Sequence, residues 1–175
     1  MSSVIRRGDR PFNARLFFVI VVATYPAWLA MMALHEVGHA LHAVTSGGRV
    51  TGVTLPLIGF SRTDVAPNPH PQWTAWGGPL WGCLLPMIAL GIARRFRRPR
   101  NPARVFAGFC MIANGAYLGL GPWMTAGDGH DLIRHGAPRW TLMLFGAIAT
   151  AGGLYLWHLA TQTTRPAAAA PTAAP

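Results

Sequence analysis

Hydrophobic positions along the chain fall into four long runs rather than the short alternating or amphipathic patterns of a soluble domain. The runs are Leu16 to Leu34, Ala75 to Ala93, Val105 to Ala126 and Trp140 to Ala160. Each approaches the roughly 20 apolar residues a helix needs to cross a bilayer. The last three contain no Asp, Glu, Arg or Lys. This pattern predicts an all-α membrane protein with about four transmembrane helices. In the first run the apolar character continues to Ser46, interrupted only by Glu36 and by histidines. A straight helix from Leu16 to Ser46 would measure roughly 46 Å, against about 30 Å of hydrocarbon. Pro26 is therefore expected to kink it, or one end to project into the interface. The run is too long for a secretory signal and has no small-residue cleavage site before the charged box.

Gly47-Gly48 is a helix stop. Between it and the second run, Arg49 to Leu55 and Ile58 to Thr63 are rich in Val and Thr and broken at Pro56. They predict two short strands, as a β-hairpin or a re-entrant loop. From Thr161 the chain is mostly Thr, Pro and Ala, a composition with nothing to bury. The expected organisation is one membrane-embedded domain over residues 1–160 and a disordered cytoplasmic tail over 161–175. There is no internal repeat.

Composition sharpens this picture. Apolar residues make up 51% of the 175 positions and charged residues 11%, against about 25% charged in ordinary globular chains. A net charge of +10 raises the question of nucleic acid, but all the basic residues are arginines set in short blocks between apolar runs. No soluble nucleic-acid-binding fold accompanies them, and membrane topology explains their placement better. Arg6, Arg7, Arg10 and Arg15 precede the first run, and Arg94, Arg95, Arg97, Arg98, Arg100 and Arg104 separate the second from the third. The positive-inside rule puts both termini and the Arg94–Arg104 loop in the cytoplasm, and four crossings satisfy it. Cys83 and Cys110 lie inside apolar runs and are expected to be packing residues.

The chemistry concentrates in His35-Glu36-Val37-Gly38-His39. On a helix, His35 and His39 stand one turn apart on the same face, a spacing at which two imidazoles can grip one zinc ion. Glu36, about 100° around the helix, can reach a water at such a metal without ligating it and act as general base. It is the sole glutamate of the chain. An acidic group at bilayer depth costs about 2.5–3.5 kcal/mol on insertion scales, so such residues are generally functional. Zinc needs a third protein ligand, and the candidates are His42, His70, His130, His135, His158, Asp64, Asp128 and Asp131. Asp128 lies between two glycines, which would let its backbone approach another helix. His42 continues the face of His35 and His39 and is a possible ligand or supporting group.

His35-Glu36-Val37-Gly38-His39-Ala40-Leu41 within a hydrophobic segment resembles the site-2 protease family of intramembrane zinc metalloproteases. Gly78-Pro79-Leu80 resembles that family's Gly-Pro signature, and Asp128-Gly129 its Asp-Gly motif, whose aspartate is the third zinc ligand. The resemblance covers roughly residues 16 to 131. It implies zinc held by His35, His39 and Asp128, with Asp131 as the alternative ligand, and Glu36 as the catalytic base. It also implies a membrane-spanning protein substrate in a bacterial plasma membrane. The chain departs from the family around its Asp-Gly motif. Gly127 stands where Leu usually precedes Asp-Gly, Pro122 is off the expected spacing, and the nearest Asn is Asn114, well upstream. The arginine topology also puts the histidine box toward the outer side, whereas many bacterial relatives place it toward the cytoplasm. The alternative function is a non-catalytic metal-binding scaffold. A di-iron oxidase would need more histidine clusters than this chain has.

Overall fold

The computed structural model describes residues 14–95 and 100–162. The N-terminal arginines Arg6, Arg7 and Arg10, the Arg97–Arg98 part of the basic loop and the tail beyond Gln162 lie outside them. Five α-helices and one hairpin follow in the order α1 (Ala14–Thr45), β1 (Val50–Thr54), β2 (Arg62–Val65), α2 (Pro71–Arg95), α3 (Arg100–Leu120), α4 (Asp128–Arg134) and α5 (Arg139–Gln162). Among the described residues, three stretches, Pro71–Arg95, Asn101–Trp123 and Arg139–Gln162, are long and apolar enough to cross a membrane. The protein is thus mostly helical with a hairpin after its first helix.

Helix α1 runs unbroken through Pro26. It ends where the glycine pair demands. The Gly47 amide donates to the Val44 carbonyl and the Gly48 amide to that of Ala43, with Gly47 at φ +83°, the left-handed stop that glycine adopts without penalty. The hairpin is antiparallel, pairing Val50 with Val65 and Thr54 with Arg62 across a bulge between Val50 and Gly52. Its second strand begins later than the Val and Thr pattern suggests. Leu57, Ile58 and Phe60 form an exposed apolar loop instead. That loop is tied down by the Tyr25 hydroxyl donating to the Leu57 carbonyl at 2.8 Å. The Phe60 ring meets Trp28 edge-on and stacks on Tyr117, so the loop bridges α1 and α3.

The third apolar run does not stay helical to Ala126. Helix α3 stops at Leu120, a 3-10 turn covers Gly121–Trp123, and the chain then turns into α4, whose Leu132 is buried with Leu118, Ala75 and Leu142. Leu132 and Ile133 are a lone apolar pair between polar residues in sequence, so apolar periodicity gives no sign of this short helix. Helix α2 packs on both α1 and α3, and α3 packs on α5. Along the last interface a Cβ at Gly146 would lie 2.5 Å from the Gly119 Cα, and one at Gly153 2.6 Å from the Gly108 carbonyl oxygen. Small residues there let two backbones touch, as in membrane helix pairs generally.

Candidate metal centre

His35 and His39 are buried on the α1 face that meets α2. The two helices come together at a glycine contact: a Cβ at Gly38 would lie 2.7 Å from the Gly77 carbonyl carbon. At Gly78 the space a Cβ would fill is already held by the Nε2 atoms of both histidines. Pro79 follows and brings no N–H to the helix ladder. In the turn before it, the Thr74 carbonyl accepts from His39 Nδ1 at 2.8 Å and the Trp73 carbonyl from His42 Nδ1 at 2.7 Å. The Gly-Pro signature thus acts as a seat for the histidine helix.

Asp128 reaches the same point from the start of α4. Its Oδ2 lies 2.8 Å from His35 Nε2 and its Oδ1 3.2 Å from His39 Nε2. The two Nε2 atoms are 3.1 Å apart. Both flanking glycines are sterically required. Gly127 has φ +87° with the Tyr117 hydroxyl where a Cβ would sit, and Gly129 lies against the Gly121 backbone. This accounts for glycine in place of the leucine expected before Asp-Gly. The Tyr117 hydroxyl accepts from the Asp128 amide at 3.1 Å, anchoring the turn.

These donors fit a metal cation. His39 Nδ1 faces the Thr74 carbonyl, and His35 Nδ1 faces the Asn114 Oδ1 at 2.6 Å. Both Nδ1 atoms must then carry the proton, so in the neutral rings both Nε2 lone pairs point at each other and at the carboxylate. Three converging lone-pair donors repel unless a cation lies among them, and zinc takes this mix of imidazole nitrogen and carboxylate oxygen. His35, His39 and Asp128 offer ligand atoms all within 4.8 Å of one another.

Glu36 is 2% exposed, and its Oε2 accepts from the Thr63 hydroxyl on β2 at 2.5 Å. It lines a cavity of about 850 Å³ together with all three donors, and with Trp28, Phe60 and Tyr117. Asp131 and His135 also line this cavity, but neither joins the close group of donors. His42 turns away from it and stacks flat on Trp73, with ring centroids 4.1 Å apart. Asp64 pairs with Arg62, His158 contacts Gln162, and His70 and His130 are exposed. Sequence reasoning overlooked Thr63, Tyr117 and the role of Asn114. For Asn114 a signal existed, because it is the lone amide side chain in any of the four apolar runs.

A family model described as Peptidase M50B-like matches residues 13–118, more than half of the chain, ending before Asp128. No curated protein and no solved structure matches the chain. The matched stretch holds the histidine helix, the hairpin, the Gly-Pro seat and most of α3, and the fold adds the carboxylate from just beyond it. On that combination the chain belongs to the Peptidase M50B-like family, the site-2 protease family, and is a zinc-dependent intramembrane metallopeptidase.

Proposed function

We propose that His35, His39 and Asp128 hold the zinc, that Glu36 is the general base, and that the bond cut lies in or next to a membrane-spanning segment of a protein substrate. The observation that carries this reading is the convergence of the three donors beside a buried glutamate that ligates nothing in the group. When bound, zinc supplies a Lewis acid that polarises a carbonyl and makes water a better nucleophile near neutral pH. Glu36 accepts the proton of the attacking water and delivers it to the departing amine. The Thr63 hydroxyl keeps one carboxylate oxygen in place and leaves the other for the proton. Asp131 stays at the cavity wall, and His42 clamps α1 to α2 through the Trp73 carbonyl. The cavity is near the upper end of the roughly 300–1,000 Å³ usual for ligand clefts, a size suited to a stretch of unwound chain. The free edge of the hairpin can pair with such a strand.

Helix α1 is the fourth crossing in this reading, because Leu16 to Leu34 holds no charged residue. The arginine blocks favour a plasma-membrane protein of the bacterial type with both termini cytoplasmic. Residues 1–160 form one embedded domain, followed by an Ala, Pro and Thr tail. About 30 Å of helix separates Ala14 from His35, so the site opens toward the outer side.

The test uses detergent-purified protein and a co-expressed single-span substrate. Candidate substrates come from comparing membrane proteomes of cells making wild type and Glu36→Gln. The wild type is expected to carry about one zinc per chain. Glu36→Gln should keep the zinc and lose about 10²–10⁴ in cleavage rate. Cleavage at the wild-type rate would refute Glu36 as base. Bound zinc with no substrate accumulating in the mutant would favour the non-catalytic scaffold.

A further inference from the structure

Asn114 sits in the middle of α3, 1% exposed and among the largest fully buried side chains. Its neighbours in the helix are apolar or glycine. Burying an amide this way costs free energy unless every polar atom finds a partner, and here two specific partners are present. The Asn114 Nδ2 donates to the Cys110 carbonyl one turn earlier at 2.8 Å. That bond fixes which way the amide faces, leaving Oδ1 as the atom that meets His35 Nδ1 at 2.6 Å. Room for the amide comes from α2, where a Cβ at Gly82 would lie 2.7 Å from both Asn114 Oδ1 and Nδ2. Helix α1 touches α3 little at backbone level. Apolar packing around Met31, Met32 and Cys110 and an edge-on contact between the His35 and Tyr117 rings join them, and this hydrogen bond adds a directed polar link.

We propose that Asn114 is a positioning residue for the metal centre: as a fixed acceptor it keeps the proton of His35 on Nδ1, so that the Nε2 lone pair is always presented to the zinc. His39 obtains the same service from the Thr74 backbone carbonyl. His35 has no backbone acceptor within reach among its hydrogen bonds and depends on a side chain from another helix. Groups that orient a ligating histidine in this way typically contribute about 10–100-fold to metal affinity. The proposal rests on the reading of His35 as a zinc ligand, and the experiment separates the two.

Zinc affinity is measured by chelator competition on the folded, detergent-solubilised full chain for wild type, His35→Ala, Asn114→Leu and Asn114→Asp. Asn114→Leu retains the volume without the acceptor and should weaken zinc binding by about 10–100-fold. Asn114→Asp, whose carboxylate accepts the same proton, should return to within a few-fold of wild type. A purely structural amide predicts the opposite order, with the apolar leucine tolerated and the buried charge harmful. Wild-type affinity in Asn114→Leu overturns the proposal, as does an aspartate no better than leucine. Should Asn114→Leu fail to fold, the cobalt-substituted protein supplies the reading by NMR. Wild type should show two metal-shifted, slowly exchanging imidazole N–H signals, and Asn114→Asp should move one and leave the other. Two unmoved signals overturn the proposal. A wild type that binds no zinc, or a His35→Ala that binds as tightly as wild type, overturns the ligand assignment and the proposal with it.

Discussion

Two helix pairs in this molecule use the same device for different ends. Between α3 and α5, glycines at 108, 115, 119, 146 and 153 bring backbones into contact, and the surfaces around them are apolar. Between α1 and α2, Gly38, Gly77 and Gly78 do the same, but the residues beside them are histidines whose Nδ1 atoms reach the carbonyls of Trp73 and Thr74. Close approach in the first pair serves helix association, through packing and through bonds such as Trp157 Nε1 donating to the Val105 carbonyl. In the second pair it aims ring nitrogens. A small-residue stripe carries chemistry only where polar side chains flank it and backbone carbonyls face them, as Trp73 and Thr74 face His42 and His39.

The largest effect should come from Gly78→Ala. Its methyl would occupy the space of the His35 and His39 Nε2 atoms, so zinc content should fall to background while circular dichroism and the melting temperature change little. Full zinc in this variant would show that the Gly-Pro seat does not aim the donors. Next is Asp128→Ala, which removes the third donor and should sharply lower zinc occupancy. Asp131→Ala, outside the donor group, should lower it far less. The reverse ranking in metal analysis would move the ligand assignment to Asp131.

Gly146→Ala addresses the other pair. The added methyl meets the Gly119 backbone, and overpacking of this kind costs about 1–3 kcal/mol. It should lower the melting temperature, yet the folded fraction should keep its full zinc content. Zinc lost in proportion beyond unfolding would mean that the two interfaces are coupled.

Much of this organisation was legible in the chain. Long uncharged runs can satisfy their backbone in lipid only as helices, which made α2, α3 and α5 readable. The Gly47-Gly48 stop was readable because glycine alone takes that conformation freely. The His-Glu-x-x-His spacing determined that two imidazoles share a face, whatever they pack against. The rest depended on contacts distant in sequence. Asp128 lies 93 positions from His35, and the glycines on either side of it, packed against Tyr117 and Gly121, bring it rather than Asp131 into the close group of donors. The start of β2 and the break at Leu120 were decided by the apolar loop resting on Trp28 and Tyr117 and by Leu132 entering the core. Asn114 was visible only as a polar residue out of place. A local pattern can specify which face of a helix a side chain occupies, because helix geometry repeats every turn. It cannot specify which carbonyl, amide or carboxylate arrives opposite that face, and the tertiary structure alone brought Thr74, Asn114 and Asp128 there.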